Sequence, residues 1–170
     1  IHLVTLLGKE ESRENFILKA LKPNIDAKFF YRTDGPTIVK KRYINQYLNQ
    51  KLFEINYLNG DYIGENCELS VVDYIKSIIS EYDLVLISDF GHGFITDKMI
   101  RVIMESPEKV AVNTQTNAAN AGYNLITKYH SPGYVCLDEP ELRLAAQERY
   151  SAIAGIVRKL SQDLNTDYFI

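Results

Sequence analysis

The alternation of short, unbroken apolar runs with segments of helical periodicity is the feature that most constrains this chain. Ile1–Leu7 is apolar, ends at Gly8, and is followed by a helical pattern that stops at Pro23. The same order returns at Asp83–Asp89, whose apolar centre predicts a strand covered on both faces, followed by a helix capped at Thr96. Because strand–helix–strand connections join parallel strands, we expect an α/β fold with a mostly parallel sheet and helices on both faces.

The remaining pattern continues this alternation. We predict that the helix from Thr96 ends near Pro107, and that further helices and strands lie in these ranges: helices at 69–80, 141–147 and 152–164, and short buried strands at 109–113 and 134–137. Asp167–Ile170 is typical of the start of another strand. Both ends of the sequence therefore lie inside strand-like runs, and we expect the N- and C-terminal parts of the domain to lie beyond residues 1 and 170.

The stretch from Ala27 to Leu58 departs from the alternation. It carries an apolar cluster at residues 29–31, a Thr-Asp-Gly-Pro turn at residues 33–36, and two runs with period-2 patterning, Thr37–Ile44 and Lys51–Tyr57. This pattern predicts antiparallel strands inserted into the α/β frame. Apolar side chains on these strands would be left partly in water, which favours a second copy of the chain as their cover.

Composition excludes several classes of protein. The 170 residues are 46% hydrophobic and 24% charged, as in one globular domain with a core. A net charge of −3 and a pI near 5.6 argue against a nucleic-acid or anionic-membrane partner, while a local basic pocket for a phosphorylated metabolite is allowed. No apolar run predicts a membrane span, and the two cysteines form no CxxC motif, so we expect a cytoplasmic protein.

Three motifs follow one another in the chain, and the first is Pro36-Thr-Ile-Val-Lys-Lys-Arg42. It is similar to a P-T-x-x-K-x-R strand, and with the two motifs described below it resembles the heptose-phosphate kinase branch of the ribokinase-like (PfkB) carbohydrate kinases. Lys40 and Arg42 lie on one face of a strand, since side chains alternate, and both could point at a sugar phosphate or nucleotide phosphate. The alternative is a solvated edge strand that uses these charges against aggregation.

The second motif, Ile87-Ser-Asp-Phe-Gly-His-Gly93, resembles the family's S-D-Y-x-K-G loop. The resemblance implies substrate binding by Asp89, Gly91, His92 and Gly93, with the glycines allowing close backbone approach. Phe90 replaces the family's Tyr, and His92 replaces its Lys, which weakens the attraction for phosphate near neutral pH. For Asp89 the alternative is a helix cap.

The third motif, Leu137-Asp-Glu-Pro-Glu141, lies where the family has P-N-x-x-E. The resemblance implies that Asp138 and Glu141 contact the nucleotide phosphates and that Glu141 also serves Mg²⁺. Asp138 replaces the family's Asn and brings an extra negative charge. Val112–Asn117 occupies the place of the family's V-D-P-K segment, and Asn113 within it is the third nucleotide-binding candidate. Asn117–Gly122 is either part of this site or only a polar loop.

The resemblance as a whole implies a three-layer ribokinase-like fold with an inserted antiparallel β lid, here represented by its central part. It implies ATP- and Mg²⁺-dependent phosphorylation of a sugar or sugar phosphate, of the heptose-phosphate type, in nucleotide-sugar or lipopolysaccharide precursor synthesis. The family's G-A-G-D segment, which carries the catalytic base, would lie beyond Ile170, so no catalytic residue is expected within the chain. The lid implies a homodimer, with Ile38, Tyr43, Phe53 and Ile55 at its surface.

Two other functions stay open. The substitutions at His92, Asn113 and Asp138 are compatible with a sugar-binding or regulatory domain that has lost phosphoryl transfer. A third interpretation is a partner domain for an attached nucleotidyltransferase.

Overall fold

The computed structural model describes residues 1–117 and 120–170, which form two compact units, Ile1–Cys67 and Glu68–Ile170. The first unit contains strand β1 (His2–Gly8), helix α1 (Glu14–Ala20), strand β2 (Asp26–Arg32) and the strands β3 (Val39–Asn45) and β4 (Gln50–Tyr57). β1 and β2 pair in parallel, from His2 opposite Asp26 to Gly8 opposite Arg32. The strand and helix that the sequence predicts from Ile1 to Pro23 are thus present, as β1 and α1.

The inserted antiparallel pair is confirmed, but it is shorter than predicted. β3 and β4 pair antiparallel, from Val39 opposite Tyr57 to Asn45 opposite Gln50, with a bulge next to Tyr43. The prediction of antiparallel strands from residue 27 onwards is wrong at its N-terminal end, because residues 27–32 belong to β2 and pair in parallel with β1. The aromatic cluster at residues 29–31 suits either kind of strand, so propensity alone does not settle the pairing.

The turn between β2 and β3 is fixed by two polar side chains. The Thr37 hydroxyl accepts a hydrogen bond from the Gly8 N–H at 2.9 Å and donates one to the Ser12 carbonyl at 2.7 Å. Arg32, which is 4% exposed, donates from Nε to Asp34 Oδ1 and from Nη1 to the Asn59 carbonyl, both at 2.8 Å. A buried guanidinium is tolerated only when it is paired in this way. The buried pair is absent from the sequence-based prediction.

The second unit is a parallel three-stranded sheet with its helices. After α2 (Glu65–Ile78), whose first turn contains the boundary between the units, the elements are the following: β5 (Val85–Asp89), α3 (Asp97–Ile103), β6 (Val110–Thr114), β7 (Tyr134–Val135), α4 (Glu139–Ala146) and α5 (Ile153–Leu164). The strand order is β5-β6-β7, and both pairings are parallel. Phe169 forms a parallel bridge with Val135, which agrees with the strand predicted from Asp167.

The core of the second unit lies around β6 and α3. The most deeply buried apolar side chains come from six segments: Val71 on α2, Met99 on α3, Val110 and Val112 on β6, Ile126 and Tyr129 in the loop that follows, Val135 on β7, and Ile156 and Leu160 on α5. β5 is less covered than predicted, since Leu84 and Leu86 are 64% and 73% exposed while Ile87 is buried. The expectation that both faces of β5 are covered is therefore wrong. An unbroken apolar run shows that a segment is hydrophobic, but it does not show that other elements pack on both of its faces.

Helix boundaries follow the local capping signals. Thr96 caps α3 as predicted and accepts a hydrogen bond from the Met99 N–H. α4 begins two residues before the predicted start, because Asp138 is its N-cap and forms a capping box with Glu141. α2 begins at Glu65, four residues before the first apolar residue of its predicted pattern. No helix in the described ranges has the length and apolar content to cross a bilayer.

Candidate active site

The carboxyl ends of the three parallel strands bring most of the predicted site residues to one edge of the second unit's sheet. β5 ends at Asp89, β6 ends at Thr114, and Asp138 follows β7. Since parallel strands end at the same edge, the loops after them are neighbours, and open α/β sheets bind ligands there. The structure thus brings together Asp89, Gly91, His92, Gly93, Asn113, Asp138 and Glu141 on one sheet edge.

Asp89 is the most highly connected residue of this edge. Its side chain is only 3% exposed, and its two carboxylate oxygens have different partners. Oδ1 accepts from the Gly91 N–H at 2.9 Å, while Oδ2 accepts from the Tyr129 hydroxyl at 2.7 Å and lies 2.6 Å from Lys128 Nζ. Thr96 is the cap of α3, so the alternative role of Asp89 as a helix cap is wrong. The carboxylate instead fixes the loop in which it lies.

Three asparagine side chains hold the same loop through its backbone carbonyls. Asn124 Nδ2 donates to the Asp89 carbonyl at 2.9 Å, Asn120 Nδ2 donates to the Phe90 carbonyl at 2.9 Å, and Asn117 Nδ2 donates to the Phe90 carbonyl at 3.0 Å. Asn120 also reaches the Gly91 carbonyl at 3.3 Å. The range 117–122 is therefore more than a polar loop at Asn117 and Asn120, whereas Ala118 and Ala119 lie outside the described residues.

The glycines of the loop have backbone conformations that favour glycine. Gly91 has φ +64° and Gly93 has φ +78°. A Cβ atom on Gly91 would lie 2.0 Å from Asn120 Nδ2 and 2.7 Å from Asn124 Cβ, so the asparagines pack directly against it. His92 is 9% exposed, and its ring stacks on that of Phe90 with 6.4 Å between the centroids. Substrate contact by His92 stays a prediction, and the ring that would make this contact is largely buried.

Glu141 links the loops after β6 and β7. Its Oε1 accepts from the Thr116 N–H at 2.9 Å, and its Oε2 accepts from the Asp138 N–H at 3.2 Å. Burial raises the pKa of the Glu141 carboxyl above its ordinary value, and the nearby Asp138 carboxylate acts in the same direction, whereas the two N–H donors oppose the shift. The Asp138 carboxylate in turn accepts from the Glu141 N–H at 2.9 Å. Asp138 and Glu141 thus form the N-terminal capping box of α4. Contact with a nucleotide would be a second role for both residues.

Asn113 has a structural partner of its own. It lies on β6, and its Nδ2 donates to the Cys136 carbonyl at 2.8 Å, which ties β6 to the segment after β7. Close by, the Thr116 hydroxyl is buried and has no hydrogen-bond partner among residues 1–117 and 120–170. A buried hydroxyl in this state is one that a ligand can satisfy.

Lys40 and Arg42 belong to the first unit, on the hairpin of β3 and β4. They lie on the same face of β3, opposite Asn56 and Glu54. Arg42 Nε donates to Glu54 Oε2 at 2.6 Å, and this hydrogen bond lowers the pKa of the Glu54 carboxyl. The guanidinium is thus partly neutralised by the neighbouring strand. Phosphate binding by Lys40 and Arg42 stays a prediction.

The donor set fits a directly bound Mg²⁺ poorly. Glu141 is 6% exposed, and each of its oxygens already accepts from a backbone N–H. In the described ranges, no group of three or more His, Cys, Asp and Glu side chains is arranged to hold a metal ion. Magnesium in nucleotide sites is usually held by phosphates, waters and one or two carboxylates. The residues that the structure describes do not form such a site on their own, so the assignment of Glu141 as a metal ligand stays a prediction.

Three residues of this edge are absent from the sequence-based prediction, namely Asn124, Lys128 and Tyr129, and Asn120 was predicted only as part of a range that could be a polar loop. Each acts on Asp89 or on the two residues after it, although they are 29 to 40 positions away in sequence. The sequence signal for these residues is the density of asparagines after a buried strand. Because a polar loop has the same composition, this signal does not distinguish a binding site from a loop.

Comparison with solved structures defines the class of fold. The chain matches phosphofructokinase-2 from Escherichia coli with a TM-score of 0.67 at 10% identity, over 97% of this chain and 54% of that one. It matches ribokinase from Giardia lamblia with the same TM-score at 14% identity, over 99% of this chain and 51% of that one. The chain therefore has the ribokinase-like fold, as its three motifs imply, with a parallel sheet and an antiparallel strand pair.

Sequence comparison points to a narrower group. The bifunctional protein HldE of Haemophilus influenzae is 25% identical over 115 residues, which are 66% of this chain and 23% of that protein. HldE of Wolinella succinogenes is 33% identical over 70 residues, which are 41% of this chain and 14% of that protein. The chain thus matches less than a quarter of the length of these relatives. No family model matches the chain.

Proposed function

We propose that the intact protein is a carbohydrate kinase that transfers the γ-phosphoryl group of ATP to a hydroxyl of a sugar phosphate, with a heptose phosphate as the substrate class. The observation that carries this proposal is the convergence of three strand-end loops in the second unit of a ribokinase-like fold. The similarity to HldE proteins supports a carbohydrate kinase. The heptose as substrate and a role in nucleotide-sugar or lipopolysaccharide precursor synthesis follow from the resemblance of the three sequence motifs. A nucleotidyltransferase in the same protein is part of the proposal.

The chain's residues would serve this reaction by binding and positioning. Asp89 and the asparagines around it give the loop of Gly91, His92 and Gly93 one conformation, which suits close approach of a sugar. Asn113, Asp138 and Glu141 would lie beside the nucleotide, where the buried Thr116 hydroxyl offers a further polar contact. Mg²⁺ would neutralise the phosphate charge when it arrives with the nucleotide.

The overall chemistry needs one proton acceptor. The sugar hydroxyl oxygen forms a bond to the γ-phosphorus, the bond from that phosphorus to the bridging oxygen breaks, and ADP leaves with the electron pair. The hydroxyl proton passes to a base, and none of the residues assigned here takes that role. Lys40 and Arg42 would attract the phosphate of the sugar or of the nucleotide.

The test is an ADP-release assay on the purified intact protein with ATP, Mg²⁺ and a panel of sugars. We expect turnover with sedoheptulose 7-phosphate or a related heptose phosphate, and at least about tenfold lower kcat/KM with the same sugars lacking phosphate, the scale of one lost charge-assisted contact. Phosphorus NMR of the product identifies the new phosphate ester. Absence of ADP release with every sugar and sugar phosphate would reject the kinase.

A second candidate function is a sugar-binding or regulatory domain without phosphoryl transfer. The observation in its favour is that Asp89, Asn113 and Asp138 all use their side chains within the protein. Calorimetric titration separates the two functions. Binding of a sugar phosphate without ADP release would support the regulatory domain, and binding with release supports the kinase.

A further inference from the structure

The Asp89–Lys128 ion pair is unequal in its exposure to solvent. The Asp89 side chain is 3% exposed, whereas that of Lys128 is 25% exposed, and the two charged groups are 2.6 Å apart. Lys128 Nζ also donates to Asn124 Oδ1 at 2.6 Å and lies 5.5 Å from the centre of the Tyr129 ring. The ammonium group is therefore held in place by three neighbours and keeps some access to solvent.

The charge of Lys128 matters because this edge of the sheet is acidic. Asp89 ends β5, and three further carboxylates, Asp138, Glu139 and Glu141, begin α4 after β7. A buried carboxylate without its counter-charge is strongly unfavourable and repels a second negative charge nearby with little screening. An anionic ligand at this edge thus needs Asp89 to be neutralised by a group other than the ligand.

We propose that Lys128 is a positioning and charge-compensating residue that lets the carboxyl end of β5 accept a phosphate-bearing ligand. This inference rests on the proposed function and deepens it. Lys128 neutralises Asp89, Tyr129 orients the same carboxylate, and the carboxylate holds the Gly91 N–H. The loop is thereby kept in one conformation without an excess negative charge.

The experiment is a double-mutant cycle on the intact protein with Lys128→Met, Asp89→Asn and the pair combined. Binding of sedoheptulose 7-phosphate and of sedoheptulose is measured by calorimetry, and melting temperatures are recorded in parallel. We expect Lys128→Met to weaken binding of the phosphorylated sugar at least about tenfold and binding of the free sugar less than about threefold, because only the phosphorylated sugar is repelled by the uncompensated charge of Asp89. The melting temperature should fall by roughly 5 to 10 °C.

The combined variant is the decisive control, since it has neither charge. It should regain most of the affinity for the phosphorylated sugar and most of the melting temperature lost by Lys128→Met. Lys128→Arg should resemble the wild type, and Lys159→Met, which removes an exposed lysine of α5, should change neither quantity. If Lys128→Met does not fold, the combined variant and Lys128→Arg are compared directly with the wild type.

The outcomes separate this inference from the proposed function. Wild-type affinity for the phosphorylated sugar in Lys128→Met, or a combined variant no better than Lys128→Met, overturns the role of Lys128 and leaves the kinase intact. Equal losses of affinity for the phosphorylated and free sugars would show that Lys128 is only a structural residue, and they would also overturn the proposed role of Lys128. A wild-type protein that binds no sugar phosphate overturns both.

Discussion

Asp89 shows how one residue can change its expected role when its neighbours are known. Its position at the end of a strand suggests a carboxylate directed at a ligand, yet its oxygens face Gly91, Lys128 and Tyr129. In the proposed kinase, a group with these partners would act on a substrate mainly by holding the loop in place. The exposed surface of the loop would then carry the substrate contacts.

Asp89→Asn should therefore affect both stability and turnover. The amide retains one acceptor oxygen and loses the charge, so Lys128 loses its counter-charge and one of the two hydrogen-bond donors, the Gly91 N–H or the Tyr129 hydroxyl, loses its carboxylate acceptor. We expect a loss of roughly 1.5–3 kcal/mol in the free energy of unfolding and a kcat lower by at least about tenfold, measured by thermal melting and steady-state kinetics.

Asp97→Asn is the matched control for Asp89→Asn, because Asp97 is an exposed residue in the first turn of α3. It should stay within about 0.5 kcal/mol of the wild type. An unchanged melting temperature in Asp89→Asn would contradict the buried network, and unchanged kinetics would remove Asp89 from the site.

The pH dependence of stability should report on Glu141. Because its folded-state pKa is raised, mainly by burial, the unfolded chain releases this proton more readily. The contribution of Glu141 to stability is thus fully present below its unfolded pKa of about 4.3 and is lost as pH rises through the folded value. Glu141→Gln removes this dependence.

The measurable quantity is the melting temperature of Glu141→Gln minus that of the wild type. It should become more positive as pH rises from 4 to 7, whatever its value at pH 4. A difference that stays constant, or that falls with pH, would show that the Glu141 carboxyl is not desolvated as its position implies.

At the scale of elements, Thr37 connects the end of β1 to the turn before β3. Thr37→Val keeps the shape of the side chain but leaves the Gly8 N–H without its acceptor in a buried position. We expect a loss of about 1–3 kcal/mol, measured by denaturant unfolding. Thr33→Val, at an exposed position of the same turn, is the control and should change stability by less than about 0.5 kcal/mol.

The helices and strands themselves are largely predictable from the sequence, because their positions depend on residues that are close in sequence. The cap at Thr96, the turn at residues 33–36 and the period-2 runs of β3 and β4 all depend on neighbours within a few residues. The partners of Asp89 were not predictable in the same way. Asn124 and Tyr129 are distant in sequence, and the choice of β1 as partner for β2 is equally non-local.

At the scale of the whole molecule, the hairpin of β3 and β4 leaves a large apolar surface in solvent. Tyr43 stacks on Phe53 with 4.3 Å between ring centroids, and three further residues of the hairpin or its approach are exposed: Ile38 at 38%, Ile55 at 39% and Tyr57 at 50%. Clusters of this kind usually mark an interface. We propose that a second copy of the chain covers it in the intact protein.

Phe53→Glu should convert this dimer to a monomer, because it places a charge in the middle of the stacked face. Light scattering across a concentration series measures the mass. Leu52→Glu is the control, since Leu52 is exposed to a similar extent, 63% against 52%, and is left unpaired at the bulge. A wild-type protein that stays monomeric at every concentration would contradict the dimer.

The close packing of Gly91 against Asn120 has a consequence for how this sequence can evolve. A side chain at position 91 meets the Asn120 amide, and a smaller residue at position 120 loses the hydrogen bonds to the Phe90 and Gly91 carbonyls. Either substitution is therefore harmful alone, and Asn124 removes the remaining space beside Gly91. A library that varies positions 91 and 120 together should recover mainly the parental pair, because Asn124 and the positive φ of Gly91 oppose any side chain at position 91 whatever stands at position 120.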